Sequence, residues 1–326
     1  MFAIYEPTPP HAWRWITLDG PDAQDFLHRL STVNLKLLKE GQGARGCFLN
    51  AQGRMQAFYT LWKYGPQDFA FEFDAGPEGA GPSHLWEDGL LKFIDHYTFA
   101  ERMKLTKFPA PGASENALAC AWLLFDEGDA ATAGLPSDLA SSRTLATNDE
   151  IRLCHHGKRD FGVNWVTAWG RPARLRQWLD QAFASAAQLD FTALTRMRVE
   201  NLAPWPSHEL SPEVNPLEAG ASDAIAQAKG CYPGQEVIER TLAIGSPARR
   251  LVQLEASQGA APQVGDPVLN VADLPTEVGT FTTVVPNPEG GFTALALVRK
   301  IQAQPNLEVQ TSARAKARVK RVAAYE

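Results

Sequence analysis

The sequence predicts an α+β protein that ends in a small antiparallel β-barrel, on two observations. Before about residue 245, segments in which apolar and polar residues alternate are interspersed with segments whose apolar residues recur at helical spacing. After Arg249 and Arg250, short predicted strands follow one another with turns between them, which is typical of a small barrel. We predict a first region of residues 1–245, with two interleaved α+β lobes that meet near residues 110–140, and a barrel domain of residues 246–326.

The individual elements follow from local patterns. The alternation from Trp13 to Leu18 predicts a strand, and Asp22 is placed to cap a helix whose apolar residues end at Leu30. The stretch from Asn50 to Gly53 is typical of a tight hairpin turn. The other predicted elements are strands over residues 68–74 and 117–125, helices over 85–97 and 190–201, a helix after Pro172, and barrel strands over 251–254, 266–270, 277–285 and 291–299.

Composition describes an ordinary soluble globular protein, with 44% hydrophobic and 21% charged residues. The formal net charge of −6 argues against direct nucleic-acid binding, because phosphate contacts need a cationic surface. The alternating basic residues from Arg314 to Arg321 are a local exception, which a solvated edge strand explains. No apolar run approaches the roughly 20 residues of a membrane helix, and the N-terminus does not have the pattern of a signal peptide.

The cysteines indicate neither disulfides nor a metal site. Cys47, Cys120, Cys154 and Cys231 lie far apart, without disulfide-like or zinc-like spacing. Cys154 is followed by two histidines, but adjacent side chains on a strand point to opposite faces and no second ligand pair lies at a known spacing. We therefore expect no metal. Few cysteines in a chain of 326 residues suit a reducing compartment, and we expect a cytoplasmic monomer.

The stretch from Lys229 to Glu236, Lys-Gly-Cys-Tyr-Pro-Gly-Gln-Glu, is the strongest candidate for a functional site. Pro233 and Gly234 predict a type II turn, and the residues from Gln235 to Leu242 predict a helix directly after it. Cys231 would then lie just before a helix start and two residues from Lys229, and both features favour the thiolate. A buried cysteine beside an ordinary Pro-Gly turn is the alternative.

This stretch, continued by Val237 and with Arg240 four residues after Glu236, resembles the signature of the YgfZ-type folate-binding proteins, relatives of the glycine-cleavage T-protein, an aminomethyltransferase. Weaker similar phrases recur from Asp19 to Arg299. The resemblance implies a T-protein-like fold with ferredoxin-like, antiparallel-sheet lobes. It also implies binding of tetrahydrofolate or a one-carbon derivative, a role in iron–sulfur cluster assembly or repair linked to tRNA modification, and Cys231 as the functional thiol with Lys229 beside it.

The expected folate contacts also rest on the resemblance. In T-protein relatives, a phrase at the end of the helix predicted over residues 190–201 supplies a carboxylate to the pterin ring, and Glu200 is the matching position. Two carboxylate oxygens accept together from adjacent pterin donors. A surface Glu at a helix end is the alternative, and Trp205 either stacks on the ligand or packs in the fold. The expected contacts are Glu200, Trp205, Tyr232, Gln235 and Glu236, with Arg198 and Arg240 for the glutamate tail.

Three functions remain open at this point. The first is a folate-binding factor that serves iron–sulfur client or assembly proteins. The second is a tetrahydrofolate-dependent aminomethyltransferase, in which the strand corresponding to residues 55–63 carries an aspartate. That stretch contains no carboxylate in this sequence. The loss of a positioned acid or base lowers the rate of catalysis by a factor of about 10²–10⁴. The third is a thiol enzyme, which needs a base, and no histidine is close to Cys231 in sequence.

Overall fold

A computed structural model of the chain describes residues 2–7, 11–77, 85–108, 117–126, 145–148, 150–206 and 208–325. The chain forms two compact units. Unit 1 comprises Met1–Leu49, Gln56–Phe191 and Asp223–Pro233, and unit 2 comprises Asn50–Met55, Thr192–Ser222 and Gly234–Glu326. The lobe boundary predicted near residues 110–140 lies largely outside the described residues.

Within the described residues, unit 1 contains two β-sheets and three α-helices. Its strands are β1 (Phe2–Tyr5), β2 (His11–Asp19), β3 (Gln42–Leu49), β4 (Met55–Lys63), β5 (Asp68–Pro77), β6 (Lys104–Lys107), β7 (Ala119–Phe125), β8 (Leu145–Asn148), β9 (Ile151–Gly157), β10 (Asn164–Gly170) and β11 (Ala187–Gln188). Its helices are α1 (Ala23–Leu30), α2 (Leu85–Tyr97) and α3 (Pro172–Ala182). One sheet has the order β3-β4-β5-β2-β6 and the other β11-β1-β7-β10-β9-β8. Apart from the parallel β1–β11 pair, the ladders recorded in these sheets are antiparallel.

The helix α3 shows why these elements form where the patterns place them. Pro172 stands in its first turn, where proline's missing N–H costs no hydrogen bond. Leu175, Trp178 and Leu179 recur at helical spacing and are buried in one apolar cluster with strand residues such as Leu123. The apolar stripe therefore docks this helix, which the sequence predicts after Pro172, on the six-stranded sheet.

The hairpin between β3 and β4 is also confirmed. The Asn50 side chain accepts hydrogen bonds from the backbone N–H groups of Gln52 and Arg54, both at 3.0 Å, and the Gly53 N–H donates to the Asn50 carbonyl at 2.9 Å. Gly53 has a φ of +68°, and a Cβ there would meet Val237 at 3.0 Å. Glycine at this position therefore satisfies both the turn conformation and the close approach of Val237.

The capping role predicted for Asp22 is wrong. Helix α1 does begin at Ala23, with Asp22 in the N-cap position, but the Asp22 side chain makes no capping hydrogen bond. Its carboxylate instead accepts from the backbone N–H of Arg102 at 2.7 Å and from the Arg102 guanidinium at 3.2 Å, which holds the pKa of Asp22 below its usual value. The Asp22 carboxylate is thus paired with Arg102, which the fold brings close, and does not cap helix α1.

Unit 2 contains a closed six-stranded barrel, as predicted. Two helices, α4 (Phe191–Glu200, of which Phe191 belongs to unit 1) and α5 (Gln235–Ile244), precede it in the chain. Its strands are β12 (Arg249–Ala256), β13 (Pro267–Asn270), β14 (Glu277–Pro286), β15 (Phe292–Arg299), β16 (Glu308–Gln310) and β17 (Lys316–Val322), in the order β12-β15-β14-β13-β16-β17. The barrel interior is filled by buried aliphatic and aromatic residues such as Val252, Phe281, Phe292 and Val309.

The predicted boundary between residues 245 and 246 lies close to the first barrel strand at Arg249, but it does not follow the division into compact units. Residues 192–222 and α5 belong to unit 2 with the barrel. One physical reason is the hydrogen bond of 2.9 Å from the Gln253 side chain, in β12, to the carbonyl of Val199, in α4. Hydrogen bonds between segments that are distant in sequence cannot be recognised from the amino-acid composition.

Candidate functional site

The turn and helix predicted around Cys231 are confirmed. Gly234 has φ 80° and ψ 0°, the values of the third position of a type II turn, and α5 begins at the next residue. Gly245, with a φ of 83°, ends the helix in the left-handed conformation that glycine tolerates. Proline and glycine in the motif therefore fix a sharp chain reversal two residues after Cys231.

Cys231 is exposed, in contrast to the other three cysteines. Cys47 and Cys154 are buried and Cys120 is half-buried. Burial raises the pKa of each of these three thiols, so they remain protonated at neutral pH. Cys231 is therefore the cysteine that a reagent or partner in solution reaches first.

Lys229 anchors the Cys231 loop, by which we mean Asp223–Pro233, to the end of helix α1. Its ammonium donates hydrogen bonds to the carbonyls of His28, at 2.6 Å, and of Ser31, and it lies 4.8 Å from the centre of the Tyr232 ring. A cation is favoured at these positions because carbonyls at a helix C-terminus have no partner within the helix. Burial lowers the pKa of Lys229 to about 8, so the side chain is still protonated at neutral pH.

The part of the loop before Lys229 is held by polar contacts within unit 1. The buried Thr32 hydroxyl donates to the Ala224 carbonyl at 2.6 Å, and the Ala226 N–H donates to the Thr32 carbonyl at 3.0 Å. Asp223 forms ion pairs with Arg159 and, at 3.5 Å, with Arg45. The loop is thus held at both ends of its first seven residues, by Asp223 and Lys229, with Cys231 exposed two residues after the last anchor.

Lys229→Met is expected to destabilise unit 1, because it removes two hydrogen bonds to carbonyls while keeping most of the apolar length of the side chain. Hydrogen bonds from charged groups contribute about 1.5–3 kcal/mol each, and we expect a loss of roughly 1–3 kcal/mol in the free energy of unfolding. Urea denaturation measures this change. Lys39→Met, at an exposed position of the same unit, is the control. Equal stability of the two variants would contradict the anchoring role.

Arg198 does not have the environment predicted for a residue that binds the glutamate tail. It is only 2% exposed, and its guanidinium donates to Glu209 at 2.9 Å and to the Thr283 hydroxyl at 2.6 Å. Burial alone would raise the pKa of Glu209, but the Arg198 charge and hydrogen bonds hold it below its usual value. Arg198 is therefore engaged in a buried ion pair with Glu209 and joined to strand β14 by its hydrogen bond to Thr283, and its guanidinium is not open to a ligand carboxylate.

The other predicted folate contacts have varied environments. Glu200 is exposed at the last residue of α4, and its backbone carbonyl accepts a hydrogen bond from Arg321. Trp205 is buried, with the Arg198 guanidinium carbon 6.0 Å from its ring centre. Tyr232 is buried, Gln235 is half-buried and donates to Glu239 at 2.5 Å, and Glu236 and Arg240 are exposed. Glu200 lies in unit 2 and Cys231 in unit 1.

Sequence reasoning missed a buried carboxylate in unit 1. Glu72, on β5, is 1% exposed and accepts hydrogen bonds from three indole N–H groups. The three indoles are those of Trp13 at 2.9 Å, Trp62 at 2.6 Å and Trp169 at 2.7 Å. The Thr167 hydroxyl also donates to Glu72, and His156 Nε2 lies 3.3 Å from the Glu72 carboxylate. Because a carboxylate offers about four lone-pair sites, Glu72 has none left to act as a general base.

The predicted separation of the two histidines of β9 is confirmed. His155 Nε2 lies 3.2 Å from the Asn164 side chain, whereas His156 Nε2 lies 3.1 Å from the Thr167 hydroxyl and 3.3 Å from Glu72. Both are buried. Each imidazole therefore serves a separate polar contact of the fold.

Comparison with known proteins shows what the chain is similar to in sequence and in fold. No protein-family model matches the chain. The tRNA-modifying protein YgfZ of Serratia proteamaculans is 23% identical over 317 residues, which are 94% of this chain and 89% of that protein. The crystal structure of the glycine cleavage system aminomethyltransferase T from Bartonella henselae superposes with a TM-score of 0.78, covering 98% of this chain and 85% of that chain at 16% identity. The chain is therefore similar in sequence to a YgfZ-type protein and similar in fold to an aminomethyltransferase.

Among the relatives of this chain is also a mitochondrial IBA57 homologue, an iron–sulfur cluster assembly factor, from Aspergillus clavatus. It is 26% identical over 292 residues, 85% of this chain. The chain spans 55% to 61% of the length of the first three relatives, so those proteins are longer. The T-protein-like fold expected from the sequence is confirmed. No helix in the described part of the chain is long and apolar enough to cross a membrane.

Proposed function

We propose that this protein binds tetrahydrofolate, or a one-carbon derivative of it, and acts through the Cys231 thiol in the assembly or repair of iron–sulfur proteins. The observation that carries the proposal is the exposed Cys231 on a loop that is held at the end of helix α1 by Lys229 and just after that helix by Thr32. The names of two relatives, an iron–sulfur cluster assembly factor and a tRNA-modifying protein, support this class of role. A client enzyme that modifies tRNA with an iron–sulfur cluster would connect the two names.

The chemistry of the thiol limits what it does alone. Iron–sulfur clusters usually take four protein ligands, and the other three cysteines are buried or half-buried and protonated. Cys231 therefore acts on a cluster together with ligands of a partner or of the folate. The partners we propose are iron–sulfur client or assembly proteins, and the formal net charge of −6 still argues against direct nucleic-acid binding. A cytoplasmic location and a monomeric state remain predictions from the sequence.

The residues of unit 2 fit the charges of a folate. Glu200 supplies an exposed carboxylate for the amino and ring N–H donors of the pterin, and Arg240 supplies an exposed guanidinium for the glutamate carboxylates. When bound, the folate would supply the nitrogen atoms that carry the one-carbon unit. Gln235 and Glu236, at the start of α5, are further proposed contacts, whereas the buried pairing of Arg198 removes it from this set. The contact expected from the ring of Tyr232, which lies in unit 1, stays a prediction from the sequence.

Glu200→Gln is expected to weaken folate binding about tenfold, because the loss of one charge-assisted acceptor pair costs about 1.5 kcal/mol. Quenching of tryptophan fluorescence during titration with tetrahydrofolate measures the dissociation constant. Glu289→Gln, which neutralises another exposed carboxylate of unit 2, is the control and should bind as the unmodified protein does. A protein that does not respond to folate at all would refute the folate half of the proposal.

An aminomethyltransferase is the second candidate, and the fold favours it directly. That activity needs a carboxylate near the reacting amine. Strand β4 contains none, and Glu72 is saturated by its donors. Methylene transfer from an aminomethyl-lipoyl carrier to tetrahydrofolate tests it. If the protein turned over at the rate of a known aminomethyltransferase, that activity would be its function in place of the iron–sulfur role.

A further inference from the structure

The edge strand expected from the alternating basic residues near the C-terminus is wrong. These residues lie on and beside β17, which pairs with β12 on one side and with β16 on the other in the closed barrel. A closed barrel leaves no strand edge that must be protected from pairing with another chain. The basic row on β17 therefore needs another physical reason.

The basic row lines a groove on the barrel of unit 2. This basic groove, by which we mean the cavity lined by residues 255–257, 306, 308 and 316–320, encloses about 490 Å³, which is within the usual size range of ligand pockets. Ala317 and Val319 are buried in the barrel core. The alternate side chains of Lys316, Arg318 and Lys320 therefore stand on the outer face, where they are 52% to 65% exposed.

The ionic contacts inside the groove neutralise the basic side chains only in part. Glu308 lies 3.8 Å from the Lys316 ammonium and 3.6 Å from the Arg318 guanidinium. Both distances exceed that of a hydrogen bond, so Glu308 leaves the N–H donors of these two side chains available to another acceptor. Glu255 lies 3.1 Å from the Lys320 ammonium. Three cations thus stand against two carboxylates, and the groove is positive in a chain whose formal net charge is −6.

The arrangement of these charges fits a protein segment better than a nucleic acid. Arg318 stands between Glu255 on β12 and Glu308 on β16, which are its cross-strand partners. A phosphodiester chain carries only negative groups, so both carboxylates would repel it, as would the net charge of the whole chain. A protein segment can place neutral or basic residues between its acidic ones, and it therefore avoids this repulsion.

We propose that the basic groove docks an extended acidic segment of another protein, whose carboxylates at alternate positions contact Lys316, Arg318 and Lys320. Every second side chain of a strand lies about 6.8 Å from the last, and an extended partner has the same repeat. This docking surface depends neither on folate nor on Cys231. Its failure would therefore leave the proposed function in place.

Binding of a labelled acidic peptide to the full chain tests this surface. The probe is a fluorescein-labelled peptide in which glutamates alternate with serines, and fluorescence polarisation measures its dissociation constant. We expect saturable binding that weakens as salt is added, because ions screen contacts between exposed charges. The same peptide with glutamine in place of glutamate should not bind. Absence of saturable binding, or equal binding of the glutamine peptide, would overturn the proposal.

The double substitution Lys316→Gln with Arg318→Gln is expected to weaken binding of the acidic peptide roughly 3- to 10-fold, because it removes two exposed ionic contacts with the probe. Arg299→Gln with Lys300→Gln is the matched control, since it removes the same two charges at exposed positions of unit 2 outside the groove. The control should bind the peptide as the unmodified protein does. Equal weakening in the two double variants would show that only net charge matters, and would contradict the groove.

Glu308→Gln separates recognition from a structural role of the basic row. The change releases Lys316 and Arg318 from their shared carboxylate, so we expect the acidic peptide to bind roughly 2- to 5-fold more tightly. If the row served only the ion pairs of the barrel, the change would lower the free energy of unfolding and leave the peptide affinity unaltered. Unaltered or weaker binding by a folded Glu308→Gln variant would overturn the proposal.

A single-stranded oligonucleotide with the same number of negative charges is the competing probe. We expect it to bind more weakly than the acidic peptide, because its phosphates face Glu255 and Glu308 as well as the cations. Tighter binding of the oligonucleotide, with the same loss in the Lys316→Gln, Arg318→Gln variant, would make a nucleic acid the partner and so overturn the proposal.

Discussion

Cys231→Ala is expected to abolish rescue of an iron–sulfur enzyme in cells that lack this protein, and to leave folate affinity unchanged. The reason is that Cys231 is the exposed thiol of the chain, while the proposed folate contacts other than Tyr232 lie in unit 2. Activity of the client enzyme in extracts measures rescue, and fluorescence titration measures folate binding. The alanine removes only a sulfur atom from an exposed position, so the fold should tolerate it.

Cys120→Ala is the matched control for this prediction. Cys120 is half-buried and its thiol has a pKa raised by burial, so it remains protonated and should take no part in the chemistry. We expect rescue by this variant to equal rescue by the unmodified protein. Full rescue by Cys231→Ala would contradict the thiol as the working group, whatever the folate titration shows. Loss of folate binding in the Cys231→Ala variant would instead indicate that the thiol contacts the folate.

Glu72→Ala is expected to destabilise the protein by about 3–5 kcal/mol, the effect of breaking a buried polar network by removal of one partner. The change leaves three buried indole N–H groups without their acceptor and deprives His156 of its carboxylate. Thermal and urea unfolding measure the loss. Glu40→Ala, at an exposed position of unit 1, is the control and should change stability by less than about 0.5 kcal/mol.

The pH dependence of stability distinguishes the charge of Glu72 from its volume. Burial alone would raise the pKa of Glu72, but His156 and the hydrogen-bond donors hold it below its usual value, which is about 4.3. The stability contributed by this ionised carboxylate is therefore present above pH 4.3 and lost as the pH falls through the lower pKa of the folded state. In a plot of the free energy of unfolding against pH, Glu72→Ala should therefore have a smaller slope in this acidic range than the unmodified protein. An unchanged slope would contradict the charged state assigned to Glu72.

The sequence by itself determined the local features of the site. The Pro-Gly pair fixed the turn before α5, because proline and glycine carry the required dihedral angles within their own residues. The Asn50–Gly53 turn and the strands of the barrel followed from equally local chemistry. The motif around Cys231 also carried the family resemblance, and the fold it implied is the fold observed.

Only the tertiary structure decided which distant side chains meet at these local features. Lys229 reaches the end of helix α1, and Glu72 accepts hydrogen bonds from three tryptophans on three other strands. Arg198, which sequence alone left available to a ligand, is taken by Glu209. Each of these contacts joins residues that are separated along the chain, so its energy depends on how whole elements dock. Alternation and spacing report the conformation of neighbouring residues, and they carry no information on which side chains the folded chain brings together.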